Sequence, residues 1–257
     1  MNHRRSIPVA ALGLMGLAGC GDGNRAPARS AVAVLDLDDV AANPDDYEWF
    51  EFRPNVMKLI LAGAEHTEHI AILWYTVPDG SVGLHYHSKT ESVYVIDGAQ
   101  TDDKGTYSNG TVYFNPPGSG HAISKSSGFF LLAYAAPPDF AATDSIQEYT
   151  PVRIDTDDDA LTDTYSFDDV QAGVRVSSLP LEDEGGMRAA IIETTSSEPY
   201  TYSGNYVLVL AGRCRIDGET HAESVLVVGK DVAPRDYAIA APVGESCLAL
   251  AVSFDSR

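Results

Sequence analysis

The chain has 257 residues, of which 44% are apolar and 21% charged, and its 17 basic and 37 acidic side chains leave a net charge of −20. That apolar content supports a folded core rather than a disordered chain. The acidity repels nucleic acid and anionic membrane surfaces, which removes both as partners. There is no Gly-x-Ser-x-Gly elbow, no phosphate-binding Gly-x-x-x-x-Gly-Lys-Ser/Thr and no Cys-x-x-Cys, so serine hydrolysis and nucleotide use are unsupported.

The first segment is a targeting signal. Arg4 and Arg5 precede an apolar stretch from Ile7 to Ala18 that is too short to span a bilayer within a folded domain. It ends in Leu17-Ala18-Gly19-Cys20, which resembles the bacterial lipobox. The resemblance implies a signal peptide over residues 1–19, lipidation of Cys20 and a chain anchored in the cell envelope through its N-terminal lipid alone. An ordinary secretory signal with an incidental Cys20 is the other reading. Gly21, in place of an aspartate after the cysteine, points to the outer membrane in a two-membrane cell. Cleavage leaves 15 basic against 37 acidic residues, a net charge of −22. Residues 20–30, polar and rich in small residues, read as a flexible tether.

From residue 31 the chain reads as β throughout. His69–Val77, Ser92–Ile96, Phe129–Tyr134, Tyr206–Leu210 and Cys247–Val252 are short apolar runs bounded by turn residues. The chemistry sits between them. His85 and His87 alternate in an extended run and so project to one side, and Glu91 returns to that side if the run continues. His121 then comes from a neighbouring strand, reached through reversals at Asp102-Asp103-Lys104-Gly105 and Ser108-Asn109-Gly110. Three imidazoles and a carboxylate are a normal ligand set for one divalent transition metal: iron, manganese, zinc, nickel, cobalt or copper. Solvated histidines on a strand pair are the alternative.

The stretch from Gly80 through His85-Tyr86-His87 and Glu91 to Gly98 resembles the first cupin motif, and Gly110 through Pro116-Pro117-Gly118 to His121 resembles the second. The opening glycine stands one residue closer to the first histidine than the family pattern has it, and Lys125 replaces a frequent asparagine. Neither departure touches a ligand position. The resemblance implies a small jelly roll in which His85, His87, Glu91 and His121 hold the metal, a small-molecule substrate or ligand, and a homo-oligomeric habit.

The pattern is written twice. Ser92-Val-Tyr-Val-Ile-Asp-Gly98 reappears 114 residues later as Tyr206-Val-Leu-Val-Leu-Ala-Gly212, and His121-Ala-Ile123 reappears as Tyr237-Ala-Ile239. Gly128 aligns with Gly244, and Asp38-Asp-Val40 with Asp168-Asp-Val170. The economical fold class is all-β, two tandem cupin jelly-roll barrels (a bicupin): residues 31–137 the metal-binding copy, 138–163 a linker marked by Pro137-Pro138 and the acidic run Asp155–Asp159, and 164–257 a copy that has lost its ligands. There, the positions of His85, His87, Glu91 and His121 fall on Pro199, Thr201, Asn205 and Tyr237, or, one residue along, on Tyr200, Tyr202 and Tyr206. His221, the lone histidine of that half, reads as a loop residue. One metal-competent and one degenerate barrel also resemble the cupin module of ChrR-type regulators, but their anti-sigma segment has no counterpart among the signal and tether residues.

Glu65-His66-Thr67-Glu68-His69 reads as a polar turn. Cys214 and Cys247 are either two buried thiols or, in an exported protein, a disulfide. The site supports a metal-dependent, oxygenase-like or C–C-cleaving enzyme acting on a small organic substrate. The alternative is a non-catalytic module that binds metal or a small ligand at the cell surface.

Overall fold

The protein is described by a computed structural model covering residues 32–156 and 165–254. The signal segment, the tether with Cys20, and the acidic run beyond Asp155 lie outside the described residues.

Strand β1 (Val32–Asp36) runs into helix α1 (Leu37–Ala42), started by the Asp36 carboxylate, which accepts hydrogen bonds from the Asp38 and Asp39 amides. A first sheet follows: β2 (Phe50–Arg53), β3 (Val56–Gly63), β4 (His69–Tyr86), β5 (Glu91–Thr101), β6 (Thr106–Ser108), β7 (Thr111–Asn115), β8 (Gly120–Tyr134) and β9 (Val152–Asp155). A second comprises β10 (Asp168–Gln171), β11 (Val174–Ser178), β12 (Met187–Thr194), β13 (Tyr200–Gly204), β14 (Tyr206–Ile216), β15 (Glu219–Ala222), β16 (Val225–Gly229), β17 (Arg235–Ala240) and β18 (Cys247–Phe254). The described pairs are antiparallel, as expected where strands are joined by short turns.

Side-chain alternation creates three cores. Along β5, Val93 and Val95 face a cluster internal to the first sheet, with Tyr75, Val82, Ile123 and Phe130, while Ile96 faces outward. Along β14, Val207 and Val209 point into a cluster internal to the second sheet, while Tyr206, Leu208 and Leu210 point out. The outward sets meet in a shared core of Ile70, Phe129 and Leu131 from one sheet and Leu208, Leu250 and Val252 from the other. Each sheet thus curls around its own interior, and the two barrels bury their outer faces against each other. Ser92 and Tyr206, equivalent in the repeat, approach within 3.5 Å across this contact through their hydroxyls. Equivalent residues meeting each other is the mark of a pseudo-twofold interface.

Glycines make the strands turn from one face of a barrel to the next. Gly98 (φ +90°) and Gly128 (φ +94°) lie opposite each other in the β5–β8 pair, and a Cβ on either would sit 2.0 Å from a carbonyl oxygen of the facing strand. Gly212 does the same in the second copy, 2.3 Å from the Ser246 oxygen. Both steric approach and positive φ exclude a side chain at Gly98. Gly98→Ala is expected to lower unfolding stability by about 1–3 kcal/mol, read as an earlier midpoint in urea; an unchanged midpoint would show that this bend is not set by the glycine.

The sequence reading needs correction at several places. Strand pairing crosses the bounds drawn from the sequence: β1, within residues 31–137, pairs with β16 of the second sheet, and β9, within residues 138–163, pairs with β7 of the first. Edge strands with open hydrogen-bonding groups recruit whichever extended segment lies alongside, regardless of the motif boundary. Asp38-Asp-Val40 is helical while Asp168-Asp-Val170 is extended, so those segments are not equivalent. Gly128 lies within β8, whereas Gly244 lies in the turn between β17 and β18. His221 is in β15, opposite Cys214, not in a loop. Of the two cysteine alternatives, the disulfide is present: Cys214 and Cys247 are bonded across β14 and β18 inside the second core.

Candidate metal centre

The two arms of the long, bent strands β4 and β8 build the site. Their inner arms pair His69–Tyr75 with Gly128–Tyr134, and their outer arms place His85 directly opposite His121. His87 lies just past the end of β4. There the run stops being extended, a departure from the sequence reading: the chain bends at Ser88 and Lys89, and Glu91 opens β5 rather than continuing β4. Because β8 lies between β4 and β5, Glu91 still reaches the same cavity, from the other side of His121. The Pro116–Gly120 loop locks this geometry. The His87 amide donates to the Ser119 oxygen and the Gly118 amide to the His87 oxygen, both at 2.8 Å, with Gly118 at positive φ.

All four expected ligands converge and are buried, and their donor atoms lie within 4.8 Å of one another. His87 Nε2 and His121 Nε2 are 3.3 Å apart, and Glu91 Oε2 is 3.3 Å from the first and 3.4 Å from the second. Bonds of about 2.0–2.1 Å in a tetrahedral site put neighbouring donors about 3.3 Å apart. The donor triangle therefore fits one divalent transition metal.

The electrostatics agree. Burial pushes His87 down to about 3 and His85 to about 4, so both imidazoles are neutral at ordinary pH, as ligands must be. Burial pushes Glu91 up, but the imidazoles of His87 and His121 outweigh it and hold the carboxyl well below the usual carboxylate range. Burial lowers His121 as well, yet hydrogen bonds to Asp102 and Glu91 carry it up to about 9. A position that favours a proton this strongly among three other donors is a well for positive charge.

Sequence reasoning missed the groups that orient these ligands. Asp102, read only as part of a reversal, has one carboxylate oxygen held by the amides of Lys104 (2.8 Å) and Gly105 (3.1 Å). Its other oxygen accepts from His121 Nδ1 at 2.9 Å, which directs the Nε2 lone pair inward. His85 Nδ1 donates to the Gly83 oxygen at 2.9 Å with the same effect. Asn115, opposite Glu91 in the β5–β7 pair, donates to Glu91 Oε2 at 2.8 Å. The signal for Asp102 was an aspartate at the first position of a tight turn, a pattern that turns produce without any metal. Nothing marked Asn115.

The expected linker also contributes. Phe140 lies against the His85 ring, centroids 5.2 Å apart, and Ile146 packs beside Gly120, so this segment covers the barrel mouth. Beneath it, His85, Glu91, His121, Tyr75, Ile123 and Leu132 enclose a cell of about 20 Å³, room for about one water-sized molecule. Glu65–Glu68 is a turn, as expected, while His69 opens β4, and Glu65 and His69 are not idle: buried Lys58 bonds to Glu65 at 3.0 Å and lies 3.5 Å from His69 Nε2.

The profile of the ChrR cupin-like domain family matches residues 37–137. A search of curated proteins finds no match. Among solved structures, a dioxygenase candidate from Nostoc punctiforme superposes with a TM-score of 0.55 at 9% identity, covering 88% of this chain and 83% of that one. A cupin 2 conserved barrel domain protein from Leptotrichia buccalis gives 0.52 at 12%, covering 86% and 96%. These likenesses establish the fold, an all-β cupin jelly roll.

In the second barrel, Tyr202 faces Tyr237 as His85 faces His121, while Asn205 stands at the Glu91 position. Neither register read from the sequence was complete, because the segment joining these positions is three residues shorter than its counterpart in the first cupin-like unit. Asn205 binds backbone instead: its side chain donates to the Val232 oxygen and accepts from the Phe254 amide. Tyr237 donates to the Asn205 oxygen at 2.7 Å. Among the described residues, the first barrel holds the one converging group of potential metal ligands.

Proposed function

We propose that the chain is an exported, lipid-anchored bicupin whose first barrel is a metal-dependent enzyme, oxygenase-like or C–C-cleaving, acting on a small organic substrate. The convergence of four buried donors on a cell sized for one small molecule carries this reading. The metal supplies Lewis-acid activation of a bound oxygen atom and, as iron, manganese or copper, access to redox chemistry with dioxygen. His85, His87, Glu91 and His121 hold it; Asp102 and Asn115 fix the orientation of His121 and Glu91; Phe140 and Phe52 keep bulk water out. The second barrel, with Tyr202, Asn205 and Tyr237 in place of ligands, buries the outer face of the first and carries no metal.

One observation favours the second reading, a non-catalytic metal- or ligand-binding module. Besides the ligands, the polar groups of the inner cell are Gln100 and the phenols of Tyr75 and Tyr134, which burial holds far above neutral pH, so no further base lines the cell. Oxygen uptake by the iron-loaded protein, screened against small organic acids and compared with His87→Ala, separates the two. Uptake that depends on both substrate and His87 supports the enzyme, and full metal occupancy with no turnover of any substrate supports the binding module.

Export is supported by the Leu17–Cys20 motif and by the buried disulfide, which belongs to oxidising compartments. Cys20→Ser is expected to shift the protein from the detergent phase to the aqueous phase, or to leave it unprocessed. Wild-type mature protein with an unmodified N-terminus would refute the anchor.

A further inference from the structure

Above the inner cell lies a second and much larger chamber of about 360 Å³, within the range of small-molecule sites. Phe50, Phe52, Arg53, His66, Pro137 and Phe140 border it, together with Glu51 and Glu65. Phe52, Pro138 and Phe140 line both chambers and form the partition between them. The inner cell has room for about one water-sized molecule, whereas the vestibule has the volume of a small-molecule site.

The charges of the vestibule are unevenly satisfied. Glu65 is neutralised by Lys58, 3.0 Å away. Arg53 has no carboxylate partner among the described residues. Its guanidinium instead lies over the Phe140 ring at 4.3 Å and the Phe52 ring at 4.8 Å, and Lys58 sits 3.8 Å from the Phe52 ring centroid. A guanidinium stacked on rings still presents its N–H edge, the geometry that takes a carboxylate in two parallel hydrogen bonds. Glu51 is the opposing charge; both residues border the outer chamber, and Arg53 in addition covers the two rings of the partition. Arg53 is exposed, and what sets it apart from the other arginines among the described residues is its place over two aromatic rings at once.

We propose that this vestibule docks a small aromatic carboxylate, with Arg53 gripping the carboxylate and Phe50, Phe52 and Phe140 contacting the ring. It names the substrate class for the enzymatic reading and rests on that reading for its purpose, while the docking itself does not require the metal. Movement of Phe52 and Phe140 would then be needed to bring the bound acid to the inner cell.

The test titrates metal-loaded protein with benzoate, benzamide and benzylamine, by calorimetry and ligand-observed NMR. Benzoate is expected to bind at least about tenfold more tightly than benzamide, and Arg53→Met to abolish that preference while keeping its metal content. Arg53→Lys should recover part of it. Benzoate affinity should persist in the chelator-treated wild type and in His87→Ala, so absence of a metal from the wild type would defeat the metal reading and leave this result readable. The proposal is overturned by benzoate that fails to bind at about 10 mM, by equal binding of benzamide, or by tighter binding of benzylamine, which would make Glu51 the determinant. Loss of benzoate binding on metal removal, with Arg53→Met unaffected, would overturn it too, because the carboxylate would then be a metal ligand.

Discussion

Replacing His85, His87 or His121 with alanine is expected to take the purified protein from about one bound divalent ion per chain to nearly none, a change that elemental mass spectrometry on protein made without an affinity tag would read. The donors of His87, His121 and Glu91 lie 3.3–3.4 Å apart, and His85 completes a group whose donors are all within 4.8 Å of one another. The Ala side chain cannot reach, and a water drawn into the gap is a weaker donor than the imidazole it replaces. Glu91→Gln is expected to lower affinity less, since the amide oxygen still fits, but it removes the negative charge that offsets the cation. His221→Ala serves as the control. His221 sits on β15 in the other barrel, and no converging donor group among the described residues includes it, so stoichiometry should not change. Metal retained after both His85 and His87 are removed would place the site elsewhere.

Asp102→Asn is expected to weaken metal affinity by about 10–100-fold, the usual cost of losing the partner that orients a ligating histidine. The substitution separates site from fold. Asparagine keeps an oxygen for the Lys104 and Gly105 amides, so the turn survives, but its charge is gone and its nitrogen cannot accept from His121 Nδ1. Competition with a chelator of known affinity measures the effect, and thermal unfolding checks the fold. Unchanged affinity would mean that packing alone orients His121. A drop in affinity accompanied by a large loss of thermal stability would mean that Asp102 acts through the turn.

The ligand set was legible because its spacing is imposed by geometry. His85 and His87 are two apart, so alternation puts them together, and a histidine after the Pro-Gly loop can reach them only from a paired strand. Glu91 converges with the histidines by a different route from the one its spacing suggested: even spacing from His87 implied one continuous strand, yet the chain bends at Ser88 and Lys89 and the carboxylate arrives on β5. The repeat was legible where it is carried by burial, as in Ser92–Gly98 and Tyr206–Gly212, which have the same inward and outward alternation and the same bend. It misled where it rested on short polar matches, as in Asp38–Val40, whose helical conformation follows from the Asp36 cap rather than from any equivalence with Asp168–Val170.

What stayed hidden depends on contacts between segments distant in the chain. The pairing of β1 with β16 and of β9 with β7 is decided by which sheet edges lie open, and no local pattern reports that. The same holds for Asn115 opposite Glu91 and for Phe140 over His85. The cysteine pair was ambiguous because two apolar strands can carry either thiols or a disulfide; their placement on adjoining strands β14 and β18 resolved it.

The first barrel is expected to hold a single metal ion among His85, His87, Glu91 and His121. Anomalous diffraction from crystals of the metal-loaded protein, collected at the absorption edge of the bound element, tests it most directly. One strong anomalous peak per chain is expected, about 2.0–2.2 Å from the Nε2 atoms of the three histidines and from a Glu91 oxygen. A peak in the second barrel, or metal-loaded crystals with no peak between these four side chains, would contradict it.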